Sequence, residues 1–184
     1  VPGTLSDISS SLQISTATAG QLITAGAVLM CLGAPLFASL VGGMDRRRLL
    51  ALSMLWYGGM HAICALMPAF GGLLPIRALA MAAPAIFTPQ AAACVGLLVP
   101  PDIRGRAITF VFLGWSVASI AGMPMGAYIG GTMGWRAAFG LVSALAFISA
   151  AWVWLVLPRA IRPPALSWSA WKSAFRSQPL MLCV

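Results

Sequence analysis

Five apolar stretches, 21–42, 49–69, 73–99, 107–131 and 135–157, occupy most of this chain. A helix needs about 20 consecutive apolar residues to cross the hydrocarbon core of a bilayer, and each stretch reaches that length. Cysteine and tyrosine aside, only His61, Arg77 and Arg136 are ionisable within them. A soluble domain carries about 25% charged residues, whereas here they make up 8%. Strands of a membrane β-barrel would be about 10 residues long and strictly alternating, a pattern these stretches lack. The expected fold is all-α, a polytopic transmembrane helical bundle.

The placement of charge fixes the expected direction of each crossing. Arg46, Arg47 and Arg48 follow the first stretch, Arg104 and Arg106 the third, and Arg159, Arg162, Lys172 and Arg176 the fifth. The intervening loops carry no charge at 70–72 and only Arg136 at 132–136. Basic loops stay on the cytoplasmic side, so the basic ends face inward and the other ends outward. The net charge of +8 is thus a topology signal, and nucleic acid is excluded as a partner. The first stretch then runs from outside to inside. Residues 4–20, rich in serine and threonine, lack the basic and apolar regions of a signal peptide and read as an external loop. The chain starts at Val1 and closes on the short apolar run PLMLCV at 179–184. These ends suggest a fragment of a larger protein, with a first helix preceding residue 1 and another helix starting at 179.

Between them, 158–178 reads as a cytoplasmic linker. Pro163 and Pro164 interrupt the preceding helix. Trp168, Trp171 and Phe175 then share one helical face bordered by Lys172 and Arg176, as in a helix lying in the membrane interface. The four cysteines, Cys31, Cys64, Cys94 and Cys183, form no CxxC pair. They suit packing rather than metal or disulfide chemistry, and no cofactor or metal site is expected.

Few residues are placed to do more than pack. In the fourth stretch Gly122, Gly126 and Gly130 recur every four residues, with Ala118 one turn earlier and Pro124 between them. A stripe of small residues lets membrane helices approach closely, and the proline invites a bend. The stripe fits either static packing or one helix sliding on another. In the hairpin Gly42-Gly43-Met44-Asp45-Arg46-Arg47-Arg48, the arginines need only set topology. Asp45 adds nothing to that role and fits an ion pair or a helix N-terminus. Arg77 sits about one turn inside the third stretch, where a charge is expensive and often functional, although it could snorkel outward. His61, in mid-stretch, could carry a proton or rest neutral and hydrogen-bonded. Asp7, Asp45 and Asp102, the three acids, are all expected in loops. Aromatic residues such as Trp56, Tyr57, Phe87, Phe112 and Trp115 suit either a cavity wall or plain packing.

These residues resemble the major facilitator superfamily, and more closely its proton-coupled drug and sugar efflux branch. GGMDRRR matches the hairpin motif between that family's second and third helices through Gly42, Asp45, Arg46 and Arg48, in a shortened form. GMPMGAYIGG at 122–131 is similar to its antiporter helix motif through Gly122, Pro124 and Gly126. Arg77 is placed like its fourth-helix arginine, although the glycine expected four residues later is Met81. GWRAAF at 134–139 is also typical of the efflux branch. The resemblance implies that residues 1–157 are an N-terminal six-helix half lacking its first helix. It implies a cytoplasmic gating role for the hairpin, a moving interface along the glycines, and substrate or proton coupling at Arg77, with His61 a second candidate.

The expected function is a secondary transporter in the bacterial inner membrane. It would be an efflux permease exchanging a small molecule for protons by alternating access with the C-terminal half of the same protein. The competing reading is a structural or receptor-like bundle without transport, which leaves Asp45 and Arg77 unexplained. An enzyme is not expected: there is no nucleophile–base pair, phosphate loop or metal cluster. Because no carboxyl lies within a stretch, the proton-carrying acid of an antiporter would have to come from elsewhere in the protein.

Overall fold

Hydropathy and local capping divide the described residues into seven helices. A computed structural model describes residues 4–159 and residue 161. The helices are α1 Leu5–Ser11, α2 Thr16–Leu40, α3 Arg46–Leu66, α4 Phe70–Ala80, α5 Ala82–Leu98, α6 Arg104–Met133 and α7 Trp135–Val156. Counting α4 and α5 as one span, Phe70–Leu98, five are long and apolar enough to cross a membrane. The expected interfacial helix around Trp168, Trp171 and Phe175, and the apolar run 179–184, lie outside the described residues.

Helix starts differ from the hydropathy reading because polar residues belong to the first turns. Ser15 caps α2, its hydroxyl accepting from Thr18 N–H at 3.0 Å, so that helix begins at Thr16 rather than 21. Asp45 caps α3 by accepting from Arg48 N–H at 3.1 Å, which makes Arg46, Arg47 and Arg48 its first turn. Capping side chains satisfy N–H groups that have no partner within the helix.

The expected external loop 4–20 is corrected by the structure. Leu5, Ile8 and Leu12 fall on one helical face, and α1 lays that face onto the bundle. Ile8 is fully buried in a cluster with Ala19, Leu22, Cys64, Leu73, Trp135 and Phe139, and Leu5 and Leu12 flank it. The cluster sits where α2 begins, α3 ends and α7 begins, which the charge pattern makes the outer end. Asp7 therefore lies on a helix, not in a loop.

The third span is broken. Met81 separates α4 from α5, and Pro84 stands in the first turn of α5, where a missing N–H is tolerated. The Leu79 carbonyl at the break accepts from Trp56 Nε1 at 3.0 Å. Such side-chain partners keep an interrupted helix compatible with lipid.

The most extensive helix pairing is α3 with α7, while α2 packs against α4 and α5. The buried face of α7, Trp135, Ala138, Phe139, Ser143, Ala146 and Ala150, is mostly small beyond its first turn. Ser143 Oγ donates to the Gly58 carbonyl at 2.8 Å. A Cβ on Gly58 would stand 3.0 Å from the Phe147 ring. Small residues and an interhelical hydrogen bond are what hold helices together in lipid. By contrast α6 is the most open helix, and Gly130 is its one buried residue.

Candidate functional site: a cavity around Arg77

The short external links bring α3, α4, α6 and α7 together around a cavity of about 480 Å³. Tyr57 and His61 line it from α3 and Arg77 from α4; Trp115, Ser119, Gly122, Met123 and Gly126 line it from α6. Phe139 and Val142 of α7 complete one wall, and Thr4 closes part of another. Most of this surface is apolar or aromatic, with a few polar groups placed on it, as in sites for small molecules.

Arg77 is the charge in that wall. It is 8% exposed, and among the described residues its Nε and Nη1 have no hydrogen-bond partner. A guanidinium removed from water without a partner is strongly unfavourable. Its position two turns into α4 leaves it facing the cavity rather than reaching the outer surface.

His61 joins Arg77 on the same cavity. The ring is 2% exposed and shares a hydrogen bond between Nδ1 and the Tyr57 carbonyl at 2.9 Å. It lies 4.1 Å, centroid to centroid, from the Tyr57 ring and 5.6 Å from Phe139, which it stacks upon. Phe139 in turn meets Trp135 edge-on at 5.7 Å. An aromatic column therefore runs from the outer cluster to the cavity wall.

The glycine stripe divides in two. Gly122 and Gly126 face the cavity, and a Cβ on either would meet nothing within 4 Å among the described residues. Gly130 lies under Thr4, whose Cγ2 would be 2.8 Å from an added Cβ. Pro124 lies on an exposed face of an α6 that continues through it.

The cytoplasmic hairpin forms a separate group. Gly42 and Arg46 are buried, and Arg46 Nη2 donates to the Gly42 carbonyl at 3.5 Å. Arg46 N–H donates to the Ile161 carbonyl at 3.0 Å, tying the start of α3 to the segment after α7. The guanidinium of Arg47 lies 4.5 Å from the centre of the Trp154 ring. Arg48 contributes the backbone N–H that Asp45 caps and is itself exposed.

Sequence reasoning named Tyr57 and Trp115 as cavity walls, and both line it; Trp56, Phe87 and Phe112 lie off it. It missed Phe139, Ser119, Met123 and Thr4. The first three belong to stripes that periodicity alone cannot separate from packing faces. Among the described residues no His, Cys, Asp or Glu cluster could hold a metal ion.

The Major Facilitator Superfamily profile matches residues 1–184. A chloramphenicol resistance protein of Streptomyces lividans is 36% identical over 156 residues, covering 85% of this chain and 40% of that protein. An uncharacterized transporter of Bacillus subtilis is 31% identical over 160 residues, 87% of this chain and 40% of its own length. A protein named probable sugar efflux transporter from Helicobacter pylori is 34% identical over 154 residues, 84% of this chain and 39% of its own length. The chain thus spans about 40% of the length of the curated relatives it matches. Helices built to cross a membrane several times, a charged cavity between them and a profile match along the whole sequence agree: this multi-pass membrane chain belongs to the Major Facilitator Superfamily.

Proposed function

We propose that this chain is the N-terminal part of an efflux permease of the bacterial inner membrane, exchanging a small molecule for protons by alternating access. The observation that carries the reading is Arg77, buried on the cavity wall with two nitrogens unpartnered among the described residues. A static bundle gains nothing from a charge held there, whereas a carrier gains a group that binds and releases an acceptor during its cycle. His61 lies beside it as a second polar group. Gly42, Asp45, Arg46 and Arg48 act as the inner gating hairpin, working against the C-terminal half. Gly122, Pro124, Gly126 and Gly130 form the face that moves.

The carboxyl that exchanges a proton does not come from Asp7, Asp45 or Asp102, which stand outside or at the ends of the spans. In this reading it belongs to another part of the full-length protein. The relatives named for chloramphenicol resistance and sugar efflux make chloramphenicol and a monosaccharide the first substrates to try.

The test is flux in proteoliposomes containing the full-length protein under an imposed pH gradient. The parent protein moves one of these probes, Arg77→Gln lowers the rate at least about tenfold, and Arg77→Lys retains part of it. An Arg77→Gln variant transporting at the parental rate overturns the role of Arg77. A parent protein that moves no compound in a wide screen overturns the transporter reading in favour of a structural bundle.

A further inference from the structure

At the inner ends of the described helices, Arg46, Arg47, Arg48, Arg104, Arg106 and Arg159 stand against Asp45 and Asp102 alone. The third acid, Asp7, is engaged at the outer end, its Oδ2 accepting from Trp135 N–H. Within this surplus of positive charge, Arg47 is held in place. Its guanidinium lies over the Trp154 ring, 4.5 Å from the centroid, and so joins the first turn of α3 to the last turn of α7. These two helices make the most extensive pairing in the bundle, which fixes the platform. Arg47 is half-buried, and its Nε is covered and without a hydrogen-bond partner among the described residues. A guanidinium laid over a ring keeps its N–H donors in its own plane, free for an acceptor at its edge.

The surface beside this platform is apolar and open. Ile148, Trp152 and Leu155 fall on one stripe of α7, at i, i+4 and i+7, and are 65%, 68% and 77% exposed. Trp154 stands at the edge of that stripe, toward α3. In a bilayer such a stripe lies against acyl chains, and tryptophans at its end sit at head-group depth. A phosphate at that depth accepts well from the planar fork of a guanidinium. Cation and stripe together fit one molecule with an anionic head and an apolar tail. We propose that Arg47, Trp154 and the stripe of Ile148, Trp152 and Leu155 form a site for an anionic phospholipid of the inner leaflet, such as phosphatidylglycerol. Its phosphate rests on Arg47 and its acyl chains run along α7. The site clasps α3 to α7 from outside the bundle and takes no part in handling a transported molecule.

The test is photo-labelling of the full-length protein in proteoliposomes. A diazirine is carried on the acyl chain of phosphatidylglycerol or, at equal mole fraction, of phosphatidylcholine, and mass spectrometry reads the labelled peptides. Phosphatidylglycerol labels residues 148–156 at least about threefold more than phosphatidylcholine, and raising salt from about 0.05 M to about 0.5 M lowers that ratio. Arg47→Gln brings the ratio close to one, and Arg47→Lys keeps part of it. Arg106→Gln, which removes an equal charge elsewhere on the inner side, leaves it near the parental value. Inorganic phosphate added at constant ionic strength does not compete. Equal labelling by the two lipids, or a ratio indifferent to salt, overturns the site without any variant having to fold. An equal drop in Arg106→Gln shows attraction to the whole inner surface and overturns it as well. Displacement by inorganic phosphate assigns Arg47 to a free anion, and absence of label on 148–156 from either lipid shows that protein covers this face; each overturns the lipid site.

Discussion

Met81 fills the notch left by Gly26: a Cβ on Gly26 would stand 2.7 Å from Met81 Cγ. Met81 sits at the break between α4 and α5, so this contact sets how the broken span leans on α2. Gly26→Ala overpacks the joint and destabilises the protein by about 1–3 kcal/mol. Adding Met81→Ala in the same chain recovers most of the loss. Thermal unfolding of the two single variants and the double variant in detergent checks the coupling, and additive losses would show that the residues are independent.

Asp45 does a capping job that does not require its charge. Asp45→Ala removes the acceptor from Arg48 N–H and lowers stability by about 1 kcal/mol, whereas Asp45→Ser keeps a cap and stays near the parental value. If the gating role proposed for the hairpin holds, Asp45→Ser still slows flux because the charge is gone. Parallel measurements of unfolding and transport separate the two contributions.

Gly122 and Gly126 stand on the cavity wall, and among the described residues a Cβ on either meets nothing within 4 Å. Alanine at either position leaves expression and unfolding temperature unchanged. Gly126→Trp, by filling the cavity, reduces transport at least about tenfold while the protein still unfolds cooperatively. A drop in stability for the alanine variants would mean that a helix elsewhere in the full-length protein packs on this stripe.

Ser143 and Gly58 join the two most closely packed helices. Ser143→Ala leaves the Gly58 carbonyl without this donor and costs about 1 kcal/mol. Gly58→Ala presses on Phe147, and combining it with Phe147→Leu relieves the pressure. Unfolding midpoints of these three variants test the α3–α7 joint apart from the cavity.

The bundle was legible because lipid imposes a coarse rule: a crossing helix must be long and apolar, and cations stay inside. Finer features obey local chemistry that hydropathy averages away. The arginines 46–48 read as a loop because they are charged, yet Asp45 makes them a helical turn. The span over 73–99 holds as one crossing, Phe70–Leu98, but hydropathy does not show that its helix is interrupted at Met81. Residues 5–11 read as loop because their serines outweigh Leu5 and Ile8, although the i, i+3, i+7 spacing of Leu5, Ile8 and Leu12 was there to find. Arg77 and His61 were visible as polar residues in an apolar setting. Their shared cavity was not, since it depends on how α3, α4, α6 and α7 meet. The partnership of Asp7 with Trp135 lay furthest out of reach, joining positions with no local pattern between them.

That partnership also bears on assembly. Asp7 precedes Trp135 by 128 residues, so a chain made from its N-terminus presents the carboxylate before the N–H that donates to it. A contact of such long sequence separation closes a long loop of chain, so it ties the start of α7 to α1 across the whole of the described bundle.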